Sequence, residues 1–99
     1  MSNSFENMAV GIYEMDSLVA CYVALDAASK AADITVQSVE RNRLKSGACV
    51  KIRGSVSDVR AAMEAGLAAG AAYGTVVHQS VIASPDKGTE LALAMTIHK

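Results

Sequence analysis

The chain has 99 residues, 52% of them hydrophobic and 19% charged, with a formal net charge of -1. This length suits one domain with a modest two-layer core. The near-neutral charge argues against a nucleic-acid or anionic-membrane binder, and no apolar run approaches the roughly 20 residues that span a bilayer. The polar segment 1–7 does not predict a signal peptide. Cys21 and Cys49 lie in apolar runs, which favours reduced thiols in the cytosol.

The first half of the chain predicts a strand, a helix and a second strand. Residues 8–13 form a short apolar run, as in a buried strand. Asp16 or Ser17 can cap the helix that follows, and this helix is expected to end at Asp33. Its apolar residues recur at spacings of three and four, which predicts one buried stripe. The stripe comprises Leu18, Cys21, Tyr22, Leu25 and Ala28. Alternation over residues 34–39 then predicts the second strand.

A basic loop, residues 41–47 (RNRLKSG), joins the second strand to a third over residues 48–53. It holds three cations and no anion. Residues 55–58 (SVSD) resemble a capping box and predict the start of a second helix, which we expect to end at Gly74. Glycine in a helix interior costs about 0.5–1 kcal/mol relative to alanine. Gly66 and Gly70 therefore indicate that another element packs very close to this helix.

Residues 75–83 predict a fourth strand, and residues 90–99 predict a strand-like arm or a frayed helix. The order β-α-β-β-α-β in a chain of this length predicts an α+β, ferredoxin-like fold, with one antiparallel sheet and both helices on one face. The basic loop is then a hairpin connection that projects from one end of the sheet.

Several segments, in this order, resemble single-domain, hexamer-forming shell proteins of bacterial microcompartments. Residues 9–14 (AVGIYE) match the opening strand, and residues 17–21 (SLVAC) and 26–33 (DAASKAAD) match the first helix. Residues 46–56 match the Ser-Gly, strand and Arg-Gly run. Residues 63–66 (MEAG) match the alanine-rich second helix, and residues 81–85 (VIASP) match the last strand. The resemblance covers residues 9–85, with residues 1–8 as an extension and residues 86–99 as a tail.

The resemblance implies a cyclic hexamer that tiles into the shell of a microcompartment in the cytoplasm. It implies a structural protein, not an enzyme, that needs no cofactor. Its partners would be further copies of the chain, other shell proteins and encapsulated enzymes, with no nucleic acid and no lipid membrane. The hairpin loop would line a central pore that passes small metabolites. The pore-lining residues would be Arg43, Leu44, Lys45, Ser46 and Gly47.

Three departures from the family pattern bear on this expectation. The basic loop is two residues longer than usual, and Lys45 replaces the usual glycine before Ser46. Lys30 would be the lysine at the hexamer edge, but its usual partners, an asparagine and an arginine, are replaced by Asp33 and Ser84. The tail beyond Pro85 is longer than a minimal member needs and could cover a face or bind cargo.

Other readings of these residues remain open at this stage. The loop cations could point to solvent or pair with acids such as Glu40, and Lys30 could be an ordinary solvated lysine. Cys49 is a weak iron–sulfur candidate and fits better as a buried or interface thiol. No other metal site is expected. The tyrosines are expected in the core or at a subunit interface. The alternative function is a small trimeric regulatory or ligand-binding protein with a ferredoxin-like fold.

Overall fold

A computed structural model describes residues 5–42 and 46–95. Four strands form one antiparallel sheet in the order β2-β3-β1-β4. The strands are β1 (Ala9–Met15), β2 (Thr35–Arg41), β3 (Ala48–Gly54) and β4 (Val76–Ile82). The helices are α1 (Leu18–Ala31), α2 (Val56–Gly70) and α3 (Lys87–Leu93). This arrangement confirms the predicted α+β fold class.

The main core lies between the sheet and the helices α1 and α2. Successive residues of a strand point to opposite faces, so Val50 and Ile52 of β3 face the helices and are fully buried. The close approach predicted from the glycines of α2 is confirmed. A Cβ at Gly66 would lie 2.6 Å from the carbonyl oxygen of Ala24, and one at Gly70 would lie 2.9 Å from that of Ala20.

The helix caps agree with the expected local chemistry. Ser17 caps α1 and accepts a hydrogen bond from the backbone N–H of Ala20, and Ser55 caps α2 by accepting from that of Asp58. The prediction that α2 ends at Gly74 was wrong. The helix ends at Gly70 because a turn over residues 71–74 already leads into β4.

The predicted stripe of α1 was wrong at Tyr22, whose residue is 54% exposed. The buried face of α1 consists mainly of small residues, Ala20, Cys21, Ala24 and Ala28. Two positions along an α-helix correspond to about 200°, so Tyr22 points away from the face that carries Ala20 and Ala24. Tyr13 is buried, whereas Tyr73 is also exposed. The tyrosines were expected in the core or at a subunit interface. For Tyr22 and Tyr73, exposure in the single chain excludes the core and leaves the interface.

The helix α3 lies on the other face of the sheet. It contacts Lys51 and Arg53, which alternate along β3 with the core residues Val50 and Ile52. The segment predicted as an arm or frayed helix, residues 90–99, thus begins inside a seven-residue helix that starts at Lys87. Across residues 5–42 and 46–95, no helix is long and apolar enough to cross a bilayer.

Candidate functional site

The basic loop joins β2 to β3, as the sequence predicts, and the structure describes its two ends. Arg41 is the last residue of β2, pairs with Ala48 and is exposed. Ser46 is exposed, whereas Gly47 is buried. The predicted pore residues Arg43, Leu44 and Lys45 lie outside the described residues.

Backbone hydrogen bonds hold both ends of the loop. The N–H of Asn42 donates to the carbonyl oxygen of Gly47 at 3.2 Å, which closes the hairpin. The N–H of Leu18, the first residue of α1, donates to the carbonyl oxygen of Ser46 at 2.6 Å. Ser17 and Ser46 also form an isolated parallel β-bridge. The loop stem, which we define as residues 41–42 and 46–47, is therefore attached to the start of α1.

Gly47 is required for this attachment because of space. A Cβ at residue 47 would lie 2.0 Å from the carbonyl oxygen of Met15 and 2.8 Å from the Cα of Asp16. Its φ is not in the left-handed region, so an unusual backbone angle is not the reason. At Gly47, the stem passes so close to the backbone of Met15 and Asp16 that any side chain at residue 47 would collide with it.

The Asn42 side chain makes a further connection that sequence reasoning missed. Its Nδ2 donates to the Glu14 Oε2 at 2.8 Å and to the Met15 carbonyl oxygen at 3.4 Å. Both Asn42 and Glu14 are partly buried. In the sequence, Asn42 is a neutral residue between two arginines, and nothing local links it to a carboxylate 28 positions earlier. Only the pairing of the strands brings the two together.

The corner between β1 and α1 is itself fixed from the opposite side. Asp16 Oδ1 accepts from the backbone N–H of Thr75 at 2.8 Å, and the N–H of Asp16 donates to the carbonyl oxygen of Thr75 at 3.2 Å. The loop stem thus rests on a corner that is bonded to the start of β4.

The three residues predicted at a hexamer edge are all exposed. Lys30 lies in the last turn of α1 and forms an (i, i+4) ion pair with Asp26 at 2.7 Å, with side chains 76% and 66% exposed. A surface pair of this kind contributes only about 0.3–0.5 kcal/mol. Asp33 follows α1, and Ser84 follows β4. In the single chain, these residues have little part in the fold and are available for contacts with another chain.

The sequence from β1 to the residues after β4 matches a known family. The family model of the BMC domain matches residues 9–85. The chain belongs to the BMC-domain family. The carboxysome shell protein CcmK3 of Halothece sp. (strain PCC 7418) is 35% identical over 88 residues, which covers 87% of this chain and 85% of that protein.

Two further comparisons relate this BMC domain to longer proteins. The bacterial microcompartment shell protein EutK of Escherichia coli (strain K12) is 34% identical over 85 residues, covering 83% of this chain and 49% of EutK. A solved microcompartment protein from Desulfitobacterium hafniense DCB superposes with a TM-score of 0.75 at 22% identity, covering 93% of this chain and 49% of that chain. This chain spans about half the length of both, and the solved structure supports the fold.

The back face of the BMC sheet, opposite α1 and α2, carries a row of ionisable residues. The strand register places Glu40, Cys49, Glu14 and His78 side by side across all four strands. A groove of about 320 Å³ is lined by Ile12, Glu14, Cys49, His78, Gln79 and Ser80. Within the described ranges, no three His, Cys, Asp or Glu side chains are grouped so as to hold a metal ion. Burial raises the pKa of the Cys49 thiol, and the Glu14 carboxylate raises it further, so this thiol stays protonated at neutral pH.

Two buried ion pairs on the same face attach α3 to the BMC domain. The Arg53 guanidinium binds both oxygens of Glu90, with Nη1 to Oε1 at 2.8 Å. Lys51 binds Glu40 at 2.7 Å and donates to the carbonyl oxygen of Leu93 at 3.0 Å. In the sequence, Arg53 belongs to a segment that matches the family pattern, but nothing in the sequence identifies Glu90 as its partner. Glu40, which the sequence offered as a partner for the loop cations, thus forms an ion pair with Lys51 within the sheet.

Proposed function

We propose that this chain is a structural, non-catalytic shell protein of a bacterial microcompartment in the cytoplasm. Copies close into a cyclic hexamer, hexamers tile beside other shell proteins, and the shell surrounds encapsulated enzymes. The observation that carries this proposal is the BMC-domain match over residues 9–85, joined to a firmly held hairpin stem below the basic loop. Exposed apolar residues of the single chain, Val19, Tyr22 and Tyr73, supply surface for contacts between copies.

In such a ring, the basic loop lines a central pore for small metabolites. Each cation of residues 41–45 becomes a ring of like charges around the axis. Two unit charges about 8 Å apart in water repel by only ~0.5 kcal/mol, and salt weakens this further. A wet pore therefore tolerates these rings. Their summed potential concentrates small anions and disfavours cations.

The oligomeric mass is the direct test. We expect light scattering after size-exclusion chromatography to give six times the 10.3 kDa mass of the chain, and electron microscopy to show sheets or tubes with a hexagonal repeat. A stable trimer would favour a regulatory or ligand-binding protein instead. A monomer at every concentration would rule out the shell function.

Reversing the charge at the proposed edge should separate ring formation from tiling. We expect Lys30→Asp to fold and form hexamers normally, because the ion pair with Asp26 contributes at most about 0.5 kcal/mol. Sheets should be absent under electron microscopy, because at each of the six edges the side chain proposed to contact the neighbouring ring is replaced by a shorter one of opposite charge.

The matched control for this variant is Arg60→Asp, the same charge change at an exposed site on α2. It should leave the sheets unchanged. Normal sheets from Lys30→Asp would show that Lys30 does not lie at the contact between hexamers.

A further inference from the structure

We propose that Asn42 is the positioning residue of the basic loop. Through its hydrogen bond to the Glu14 carboxylate, it fixes the loop stem to the corner between β1 and α1 and so sets the point from which the loop projects. The relevance of this role to a pore rests on the proposed function. The geometry itself is a property of the single chain.

One residue, Asn42, connects three segments of backbone. Its N–H donates to the carbonyl oxygen of Gly47, which immediately precedes β3. Its Nδ2 donates to Glu14 and to the carbonyl oxygen of Met15 at the end of β1. Asn42 itself follows the last residue of β2. A residue whose side chain has no hydrogen-bond donor, such as alanine, could close the hairpin but could not join it to Glu14 of β1.

The bond to Glu14 is the strongest of these side-chain contacts. Its acceptor is a carboxylate, and its length of 2.8 Å lies in the range of charge-assisted hydrogen bonds. Both partners are partly buried, which limits competition from water. The contact to Met15 is longer, at 3.4 Å, and adds less.

A second attachment lies only four residues further along the chain. The Ser46 carbonyl oxygen accepts from the N–H of Leu18, and Gly47 packs against Met15. Only residues 43–45 separate the two held points. Asn42 adds side-chain bonds to these backbone attachments, so Asn42→Ala removes the bond to Glu14 without removing the backbone bonds of the stem.

The charge of residue 42 matters as well. It lies between Arg41 and Arg43 in sequence, and an acid at this position would oppose Glu14. The amide supplies a donor for Glu14 and leaves the basic character of the loop intact.

Hydrogen exchange on the hexameric protein tests the role of Asn42. In Asn42→Ala, we expect the N–H of Leu18 and the amides of residues 46–48 to exchange at least about tenfold faster, since a hydrogen bond to a charged group is worth roughly 1.5–3 kcal/mol. The control is Gln37→Ala, which removes a partly buried carboxamide within β2 that bonds Leu93 and Arg53 instead. It should not change exchange at these amides.

Variants of Glu14 distinguish positioning from general destabilisation. Glu14→Ala should reproduce most of the effect of Asn42→Ala, and the double variant should exchange no faster than Asn42→Ala alone, because both changes remove the bond between Asn42 and Glu14. Glu14→Gln keeps an acceptor for the amide and should fall between wild type and Asn42→Ala.

Three results would overturn the proposal. They are unchanged exchange in Asn42→Ala, additive effects in the double variant, and faster exchange spread evenly over the sheet. The oligomeric mass is measured on the same samples. A wild-type protein that is not hexameric contradicts the proposed function, while the exchange data still decide on Asn42.

Discussion

Replacing Arg53 with methionine should lower the free energy of unfolding by about 3–5 kcal/mol, the usual cost of removing one partner of a buried ion pair. The Arg53 side chain is fully buried, and Glu90 is only 9% exposed. Loss of the guanidinium leaves the carboxylate without its bidentate partner. It also removes the donors to the carbonyl oxygens of Met8 and Ala9.

Urea denaturation of Arg53→Met measures this loss. The control is Arg60→Met, which removes an exposed arginine of α2 and should change the free energy of unfolding by less than about 0.5 kcal/mol. In the double variant Arg53→Met/Glu90→Met, part of the stability should return, because no buried charge is left without a partner. A loss below 1 kcal/mol in Arg53→Met would contradict the buried pair.

Gly66→Val should lower the free energy of unfolding by about 3 kcal/mol, the upper end for overpacking. A Cβ at this position would meet the carbonyl oxygen of Ala24 at 2.6 Å and the Cβ of Ala28 at 3.1 Å. The first of these atoms belongs to the backbone of α1, so the helices would have to separate.

The matched control is Gly88→Ala in α3, where the nearest atom to a new Cβ is the Asp86 Oδ2 at 3.6 Å. This change should raise the free energy of unfolding by about 0.5 kcal/mol, because alanine loses less chain entropy on folding. The two glycine variants should thus differ in sign. Equal stability of Gly66→Val and wild type would show that α1 and α2 are less closely packed.

The pattern of apolar residues was sufficient to predict the sheet and two helices, since each strand and helix shows its own period. The pattern failed at Tyr22 because an apolar residue at helical spacing can lie beside the buried face and not on it. The distance between the helices was indicated by glycines. Gly66 and Gly70 indicated a close neighbour, and the structure identifies it as α1.

The attachments of the loop stem and of α3 could not be predicted, because they join residues far apart in sequence. Glu14 and Asn42 are separated by 28 positions, and Arg53 and Glu90 by 37. No local preference encodes such pairs. They follow from the register of β1 with β3 and from the position of α3 on the back face.

The central place of β1 in the sheet has a consequence for folding. β2 and β3 are joined by a short connection and can pair early, as a local hairpin. Glu14, however, comes from β1, which enters between β3 and β4 and requires pairing over longer sequence distances. The loop stem therefore acquires its attachment to Glu14 only after β1 has paired with β3. In the proposed hexamer, an incompletely folded chain would lack the stem geometry that ring closure requires.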